Sequence, residues 1–330
     1  MIELLSCEKL INPQIDFLLY LQNLRICHFS MLDNLFLSIT IMGEMWLPTV
    51  VCAIVYWCFD IKTGIYLFSL SSFNVFFAQL FKMLACVYRP WILSDKIQPV
   101  EKAVALAAGY SFPSGHSAQA SSLFGGLAFL LRKKILVSIL LVILVFIVGF
   151  SRMWLGVHTP QDVVIGLIIG FSLVFIFDYI INWAELNKNR YLYLALGTDI
   201  LIAFIIIYIC YFNCYPIDYV NGILLVSPRL SIQASILCHG FVAGVLNGVY
   251  ISRRFPFFNP NQYTPKNKLI ISLIGSAFII AMFKLYINPL FCEPNNFKIV
   301  FMIPFLSGIF ITSIYPYIFE KLIKFTKKAH

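Results

Sequence analysis

The sequence predicts an all-α, polytopic membrane bundle of about nine transmembrane helices. Of its 330 residues, 60% are hydrophobic and only 12% charged, and the mean hydropathy is +0.86. A water-soluble domain cannot hide that much apolar surface. Mostly apolar windows of roughly 18 to 24 residues, long enough to cross ~30 Å of hydrocarbon as helix, recur along nearly the whole chain. The basic residues collect in alternate loops between those windows.

Taken in order, the windows are Leu37–Phe59, Gly64–Cys86, Ser114–Leu131, Ile135–Phe150, Gln161–Ile181, Tyr191–Phe212, Leu230–Ile251, Leu269–Leu290 and Val300–Leu322. Ahead of them, Ile15–Phe36 mixes apolar residues with Gln22, Arg25 and Asp33, a pattern that suits a helix lying at the outer interface better than a span. The opening MIELLSCEKL has no basic n-region and does not read as a cleaved signal peptide. The loop Arg253–Lys268, with Pro256, Pro260 and Pro265, is the best boundary between a front portion and a C-terminal helical pair.

The net charge of +9 could indicate an anionic partner such as nucleic acid, so the placement of the basic residues decides. Lys62, then Arg132, Lys133 and Lys134, then Lys188 and Arg190, then Arg253, Arg254, Lys266 and Lys268, and last Lys321, Lys324, Lys327 and Lys328 fall on one side if the first helix runs inward. The excess charge therefore orients the protein, with an external N-terminus and a cytoplasmic C-terminus, and gives no argument for nucleic acid. The nine cysteines are scattered without a CxxC or Cys/His cluster, so no metal site is predicted. The closing Lys327-Lys328-Ala329-His330 looks like a dilysine retrieval signal, although lysines at the cytoplasmic end of a last helix explain it equally.

Ionisable residues at membrane depth are costly, which singles out three polar islands. The first is Lys82 to Pro90. A spacing of seven places Lys82 and Arg89 near one helical stripe, roughly 10 Å apart along the axis, so both could reach one anion. Snorkelling bases at a helix end explain them as well. The second is Gly109-Tyr110-Ser111-Phe112-Pro113-Ser114-Gly115-His116-Ser117. Ser114 is a good N-cap, so Gly115 and His116 occupy a first helical turn, where unpaired N–H groups and the dipole attract a phosphate. An ordinary capped helix is the competing reading. The third is Ser151 to Asp162. Thr159 and Asp162 can form a capping box, with Pro160 at the first position. That box leaves His158 and Arg152 unexplained, whereas an aspartate beside His158 would hold the imidazole in one tautomer. With the topology above, all three islands fall on the external side.

Together these residues resemble the type 2 phosphatidic acid phosphatase superfamily. Its three-part signature is lysine, six residues, Arg-Pro; then Pro-Ser-Gly-His; then Ser-Arg, five residues, His, three residues, Asp. Here it reads Lys82…Arg89-Pro90, Pro113-Ser114-Gly115-His116 and Ser151-Arg152…His158…Asp162. YWCFDIKTG near Asp60 also looks like a bacterial subgroup with extra C-terminal helices. The resemblance implies an external interfacial segment at 1–36, a catalytic helical core at 37–182 and additional helices at 183–330.

The resemblance further implies a metal-independent membrane phosphohydrolase with no cofactor, acting on a lipid phosphate or pyrophosphate at the extracytoplasmic face of a bacterial cytoplasmic membrane. His158 would be the nucleophile, Asp162 its orienting carboxylate and His116 the general acid. Lys82, Arg89, Ser114, Gly115 and Arg152 would bind the phosphoryl oxygens. The partners implied are an amphiphilic lipid and the membrane, with no obligatory protein partner. Two alternatives remain: a hydrolase of a soluble phosphate ester similar to glucose-6-phosphatase, and a transporter that binds phosphate without cleaving it.

Overall fold

A computed structural model describes residues 8–105, 107, 109–220, 222–287 and 296–328. The chain is helical almost throughout. In order, α1 spans Glu8–His28, α2 Leu32–Thr40, α3 Trp46–Cys58, α4 Ile61–Ala85, α5 Gly115–Leu130, α6 Ile135–Trp154, α7 Pro160–Glu185, α8 Arg190–Ile207, α9 Pro228–Arg254, α10 Pro265–Ile287, α11 Phe297–Ile309 and α12 Tyr315–Lys328. Single helical turns at Ile41–Gly43, Pro90–Leu93 and Glu101–Ala105 lie between them. The one departure from the all-α expectation among the described residues is an antiparallel hairpin, β1 Tyr219–Val220 and β2 Ile223–Leu224, with Tyr219 opposite Leu224.

Among the described residues, seven helical stretches are long and apolar enough to cross a membrane: Ile61–Leu93, Ile135–Trp154, Pro160–Glu185, Arg190–Phe212, Pro228–Arg254, Pro265–Tyr286 and Phe297–Phe325. Each matches one expected window. The other two expected windows behave differently. The stretch expected at Leu37–Phe59 breaks between Gly43 and Trp46, near a glycine, a glutamate and Pro48, into α2 with its following turn and α3. The stretch expected at Ser114–Leu131 forms α5, whose 16 residues fall short of the ~20 a span requires. Its Ser, Gly, Ala and Gln side chains are mostly buried against protein. The tail residues Ala329 and His330 lie outside the described residues, as do residues 1–7.

The chain divides into two compact units, one of Met1–Met45, Asn74–Val174 and Tyr208–Ser235, the other of Trp46–Phe73, Phe175–Ile207 and Ile236–His330. In the first, α5 packs along α6, and α1 and α2 pack on α6. Small residues let α7 approach α5. A Cβ added at Gly166 would stand 2.6 Å from the Ser114 carbonyl oxygen, and one at Gly170 would stand 2.5 Å from that of Ala118. The second unit is joined by polar contacts between helices. Tyr56 Oη of α3 bonds Ser252 Oγ of α9 at 2.7 Å and Trp57 Nε1 donates to the Ile311 carbonyl at 3.0 Å. Asn247 of α9 donates to the Asp199 carboxylate of α8 at 2.9 Å.

Candidate active site

The three islands converge within the first unit. The Lys82–Arg89 segment reaches the cluster by a route the spacing did not predict. α4 ends at Ala85, Cys86 takes a left-handed φ of 49°, and Arg89 is extended at φ −70°, ψ 154°. The two cations therefore do not share a helical stripe. Pro90 instead opens a one-turn helix as its first residue. Lys82 Nζ donates to the carbonyls of Tyr110 at 2.7 Å and Ser111 at 3.3 Å, while Arg89 Nε donates to that of Gly109 at 3.1 Å. Both cations thus bind the segment that carries the second island.

Ser114 caps α5 as its sequence suggests: its Oγ accepts from the Ser117 N–H at 3.3 Å, placing Gly115 and His116 in the first turn. Nothing lies within 4 Å of where a Gly115 Cβ would stand, so an oxygen can approach that backbone. Gly43, after α2, packs directly on His116; a Cβ there would come within 2.8 Å of the His116 Cβ. Ser114 N–H donates to the Asp162 carbonyl at 2.9 Å, tying the α5 start to the α7 start.

At the α7 start the capping and orienting readings hold together. Thr159 N–H donates to Asp162 Oδ2 at 2.9 Å and Asp162 N–H to Thr159 Oγ1 at 3.3 Å, a reciprocal capping box. The same Oδ2 accepts from Ser111 Oγ at 2.5 Å and lies 3.2 Å from His158 Nδ1. On the other side of the ring, Arg89 Nη1 stands 2.8 Å from His158 Nε2. A guanidinium only donates, so Nε2 accepts and Nδ1 carries the proton toward Asp162. The imidazole is thereby fixed with its Nε2 lone pair directed at the cation cluster. Burial, followed by the fields of Arg89, Arg152 and Lys82 and of His116, holds His158 well below the usual histidine value of 6.5, which keeps it neutral at pH 7.

Arg152 is fully buried near the end of α6. Its Nη1 donates to Thr40 Oγ1 at 2.6 Å, whereas its Nε and Nη2 have no protein hydrogen-bond partner. His116 is partly exposed, yet its Nε2 is buried and equally unpartnered. Lys82, Arg89 and Arg152 outnumber the nearby carboxylates Asp162 and Glu44, so the cluster carries excess positive charge. Two contributors escaped the sequence reading. Ser111 sits inside the second island, but only the folded contact shows that it bonds Asp162. Thr40 lies far from the islands in sequence. No group of three or more His, Cys, Asp or Glu suited to a metal ion occurs among the described residues.

Residues 62–186 match the PAP2 superfamily model, a stretch that contains all eight residues singled out from the sequence. Phosphatidylglycerophosphatase B of Bacillus subtilis is 32% identical over 103 residues, covering 29% of this chain and 50% of that protein. The bacitracin transport permease protein BcrC of Bacillus licheniformis is 46% identical over 68 residues, 20% of this chain and 32% of that one. Lipid A 4'-phosphatase of Bacteroides thetaiotaomicron is 44% identical over 62 residues, 19% of this chain and 27% of that one. The chain thus spans half or less of the length of these relatives. No solved structure matches it. The similarity lies in the stretch where the cations and the His158–Asp162 pair meet, and residues 62–186 are the part of this multi-pass membrane chain that matches the PAP2 superfamily.

Proposed function

We propose that the protein hydrolyses a phosphate ester or diphosphate of a membrane lipid through a phosphohistidine intermediate, without a metal ion. The observation that carries this reading is the pairing of unpartnered buried nitrogens, Arg152 Nε and Nη2 and His116 Nε2, with a neutral, Asp162-oriented His158. Buried polar atoms normally find partners, and nitrogens that lack protein ones suit the oxygens of a phosphoryl group.

In the first step His158 Nε2 forms a bond to phosphorus as the phosphorus–oxygen bond to the lipid breaks; His116, held well below 6.5 by burial and by Arg152, Arg89 and Lys82, takes up a proton when the anionic phosphate offsets those cations and gives it to the departing oxygen. Arg89 Nη1, 2.8 Å from the attacking nitrogen, would pass its hydrogen bond to a phosphoryl oxygen. Arg152 and the backbone N–H groups around Ser114 and Gly115 would hold the others. Lys82, through the Tyr110 and Ser111 carbonyls, fixes the loop and adds positive field. Asp162 balances the imidazolium charge of the intermediate. In the second step His116 takes a proton from water, the resulting hydroxide attacks phosphorus, and the bond electrons return to Nε2 as phosphate leaves.

The printed names of the relatives, a phosphatidylglycerophosphatase and a lipid A phosphatase, support a lipid phosphate as substrate. The loop charges support an extracytoplasmic site: Arg132, Lys133 and Lys134 precede the 20-residue α6 and Arg152 lies near its far end, about 30 Å away for such a helix. The transport reading finds support in the name of the Bacillus licheniformis permease, but binding alone requires no oriented imidazole. The test is phosphate release by purified protein and its His158→Ala variant from phosphatidate, phosphatidylglycerophosphate, an isoprenyl pyrophosphate and glucose 6-phosphate. Release by the wild type alone, persisting in EDTA and blocked by vanadate, is expected. Magnesium dependence, or equal release by both proteins, would overturn the mechanism.

A further inference from the structure

Helix α1 lies outside the stretch shared with the PAP2 superfamily, yet its side chains reach the two loops that flank the His158–Arg89 pair. Gln14, Leu18, Gln22 and Arg25 are spaced four, four and three residues apart, one stripe of a helix. Gln14 Oε1 accepts from the Gln161 N–H at 2.9 Å and its Nε2 donates to Gln161 Oε1 at 3.1 Å, one turn from His158. Arg25 is buried, 5% exposed, and spans both loops. Its Nη1 donates to the Trp154 carbonyl at 3.4 Å and its Nη2 to that of Gln98. Gln22 closes the set, accepting from the Gln98 N–H at 2.6 Å and donating to the Lys96 carbonyl at 3.0 Å.

The loops so held are also joined to each other. Val100 N–H donates to the Leu155 carbonyl at 3.0 Å. Gly156, at φ +73°, lets Pro99 approach so closely that a Cβ would meet its Cα at 3.1 Å. Ile15 and Leu18 pack with Ile97 and Met153 on the same surface. A buried arginine whose bonds are all to carbonyls of these loops is costly unless those bonds are kept, so it locks the loops in one arrangement.

We propose that α1 is a brace for the catalytic loop, with Arg25 and Gln14 as positioning residues that hold His158 in register with Arg89. The proposal rests on the reading of His158 as the nucleophile. It predicts that loosening the brace lowers turnover without changing substrate affinity, because the phosphate-binding groups stay in place.

The test uses the full chain in detergent with Arg25→Met, Arg25→Lys and the milder Gln14→Leu. Two quantities are followed: kcat and KM on the lipid substrate, and the rate at which diethyl pyrocarbonate modifies His158, read by mass spectrometry. For Arg25→Met, kcat should fall on the order of 10- to 100-fold while KM stays within about twofold. His158 should be modified several-fold faster, with Gln14→Leu showing a smaller change in the same sense. Arg25→Lys should restore most of both, since an ammonium can still donate to carbonyls. His158 reactivity within about twofold of wild type in Arg25→Met and Gln14→Leu would overturn the brace, as would lost activity that only tracks lost folded protein. Absence of phosphate release by the wild type would defeat the proposed function, while the His158 labelling rate still decides the brace.

Discussion

Replacing Gly166 by alanine perturbs the site without touching any of its polar groups. The added Cβ would lie 2.6 Å from the Ser114 carbonyl oxygen, 3.2 Å from the Ala118 nitrogen and 3.3 Å from Ser117 Cβ, against an ordinary contact distance of at least 3.4 Å. The nearest atom is backbone and cannot rotate away, so the α5 start must retreat by about 0.8 Å from α7. Ser114, Gly115 and His116 ride on α5, whereas His158 and Asp162 sit at the start of α7, and the 2.9 Å bond from Ser114 N–H to the Asp162 carbonyl joins them. The retreat therefore separates the proposed proton donor, His116, from the proposed nucleophile, His158. Overpacking of this kind costs about 1–3 kcal/mol of stability. A misplacement near 1 Å at the reacting groups costs up to ~100-fold in rate, so kcat should drop between ~10- and ~100-fold in folded protein. Turnover per folded molecule is the assay, with Gly197→Ala as control because no atom lies within 4 Å of its Cβ position. A Gly166→Ala protein that turns over within about twofold of wild type would refute the claim that this close approach sets the site's geometry.

Other expectations follow from single contacts. Ser111→Ala removes the 2.5 Å hydrogen bond to Asp162, and loss of a hydrogen bond to a charged group, about 1.5–3 kcal/mol, should lower kcat by roughly 10- to 100-fold with little change in KM. Steady-state kinetics on the lipid substrate checks it. Thr40→Ala frees the buried Arg152 guanidinium from its 2.6 Å partner and should raise KM and the vanadate inhibition constant together, whereas a change in kcat alone would argue against phosphate binding by Arg152. His158 is held below 6.5 by burial and by the cations around it, so its neutral form persists as pH falls through 6.5. Diethyl pyrocarbonate should therefore modify it with a midpoint below 6.5, and Arg89→Met should move that midpoint upward; an unshifted midpoint would show that the cations do not act on the ring. The same depression has a stability consequence. The unfolded histidine binds a proton that the folded one refuses, so this residue's contribution to stability is lost as pH falls below 6.5 toward the folded value.

Much of this site is legible in sequence because its chemistry rides on local spacing. Thr159 and Asp162 are three residues apart, and His158 and Asp162 four, so one helix start fixes their geometry whatever surrounds it. Ser114 as a cap, with His116 in the first turn, is equally local. The stripe expected for Lys82 and Arg89 failed because the chain leaves the helix at Cys86, which takes a left-handed φ of 49° where it packs with Tyr110 and Val226. Ser111, Thr40, Gln14 and Arg25 were invisible as contributors for a related reason. Each acts across 51 or more residues of sequence, through contacts with no periodic signature. Gln22, Arg25 and Asp33, read as the polar side of an interfacial helix, instead bond loops and the Trp154 indole, Asp33 Oδ1 accepting from Nε1 at 3.0 Å. Among the described residues, seven expected windows are single helices of spanning length, α5 falls short because it hides small polar residues inside protein, and the window broken after Gly43 makes an eighth span if its two helices cross together.

The most direct measurement is to trap the covalent enzyme. Protein mixed with a lipid substrate labelled in its phosphate, and quenched in alkaline detergent within milliseconds, should carry label on His158 that is lost on mild acid treatment. The label should be absent from His158→Ala and still form in Asp162→Asn at a reduced rate. Turnover without labelled His158, or undiminished hydrolysis by His158→Ala, would contradict the nucleophile assigned here.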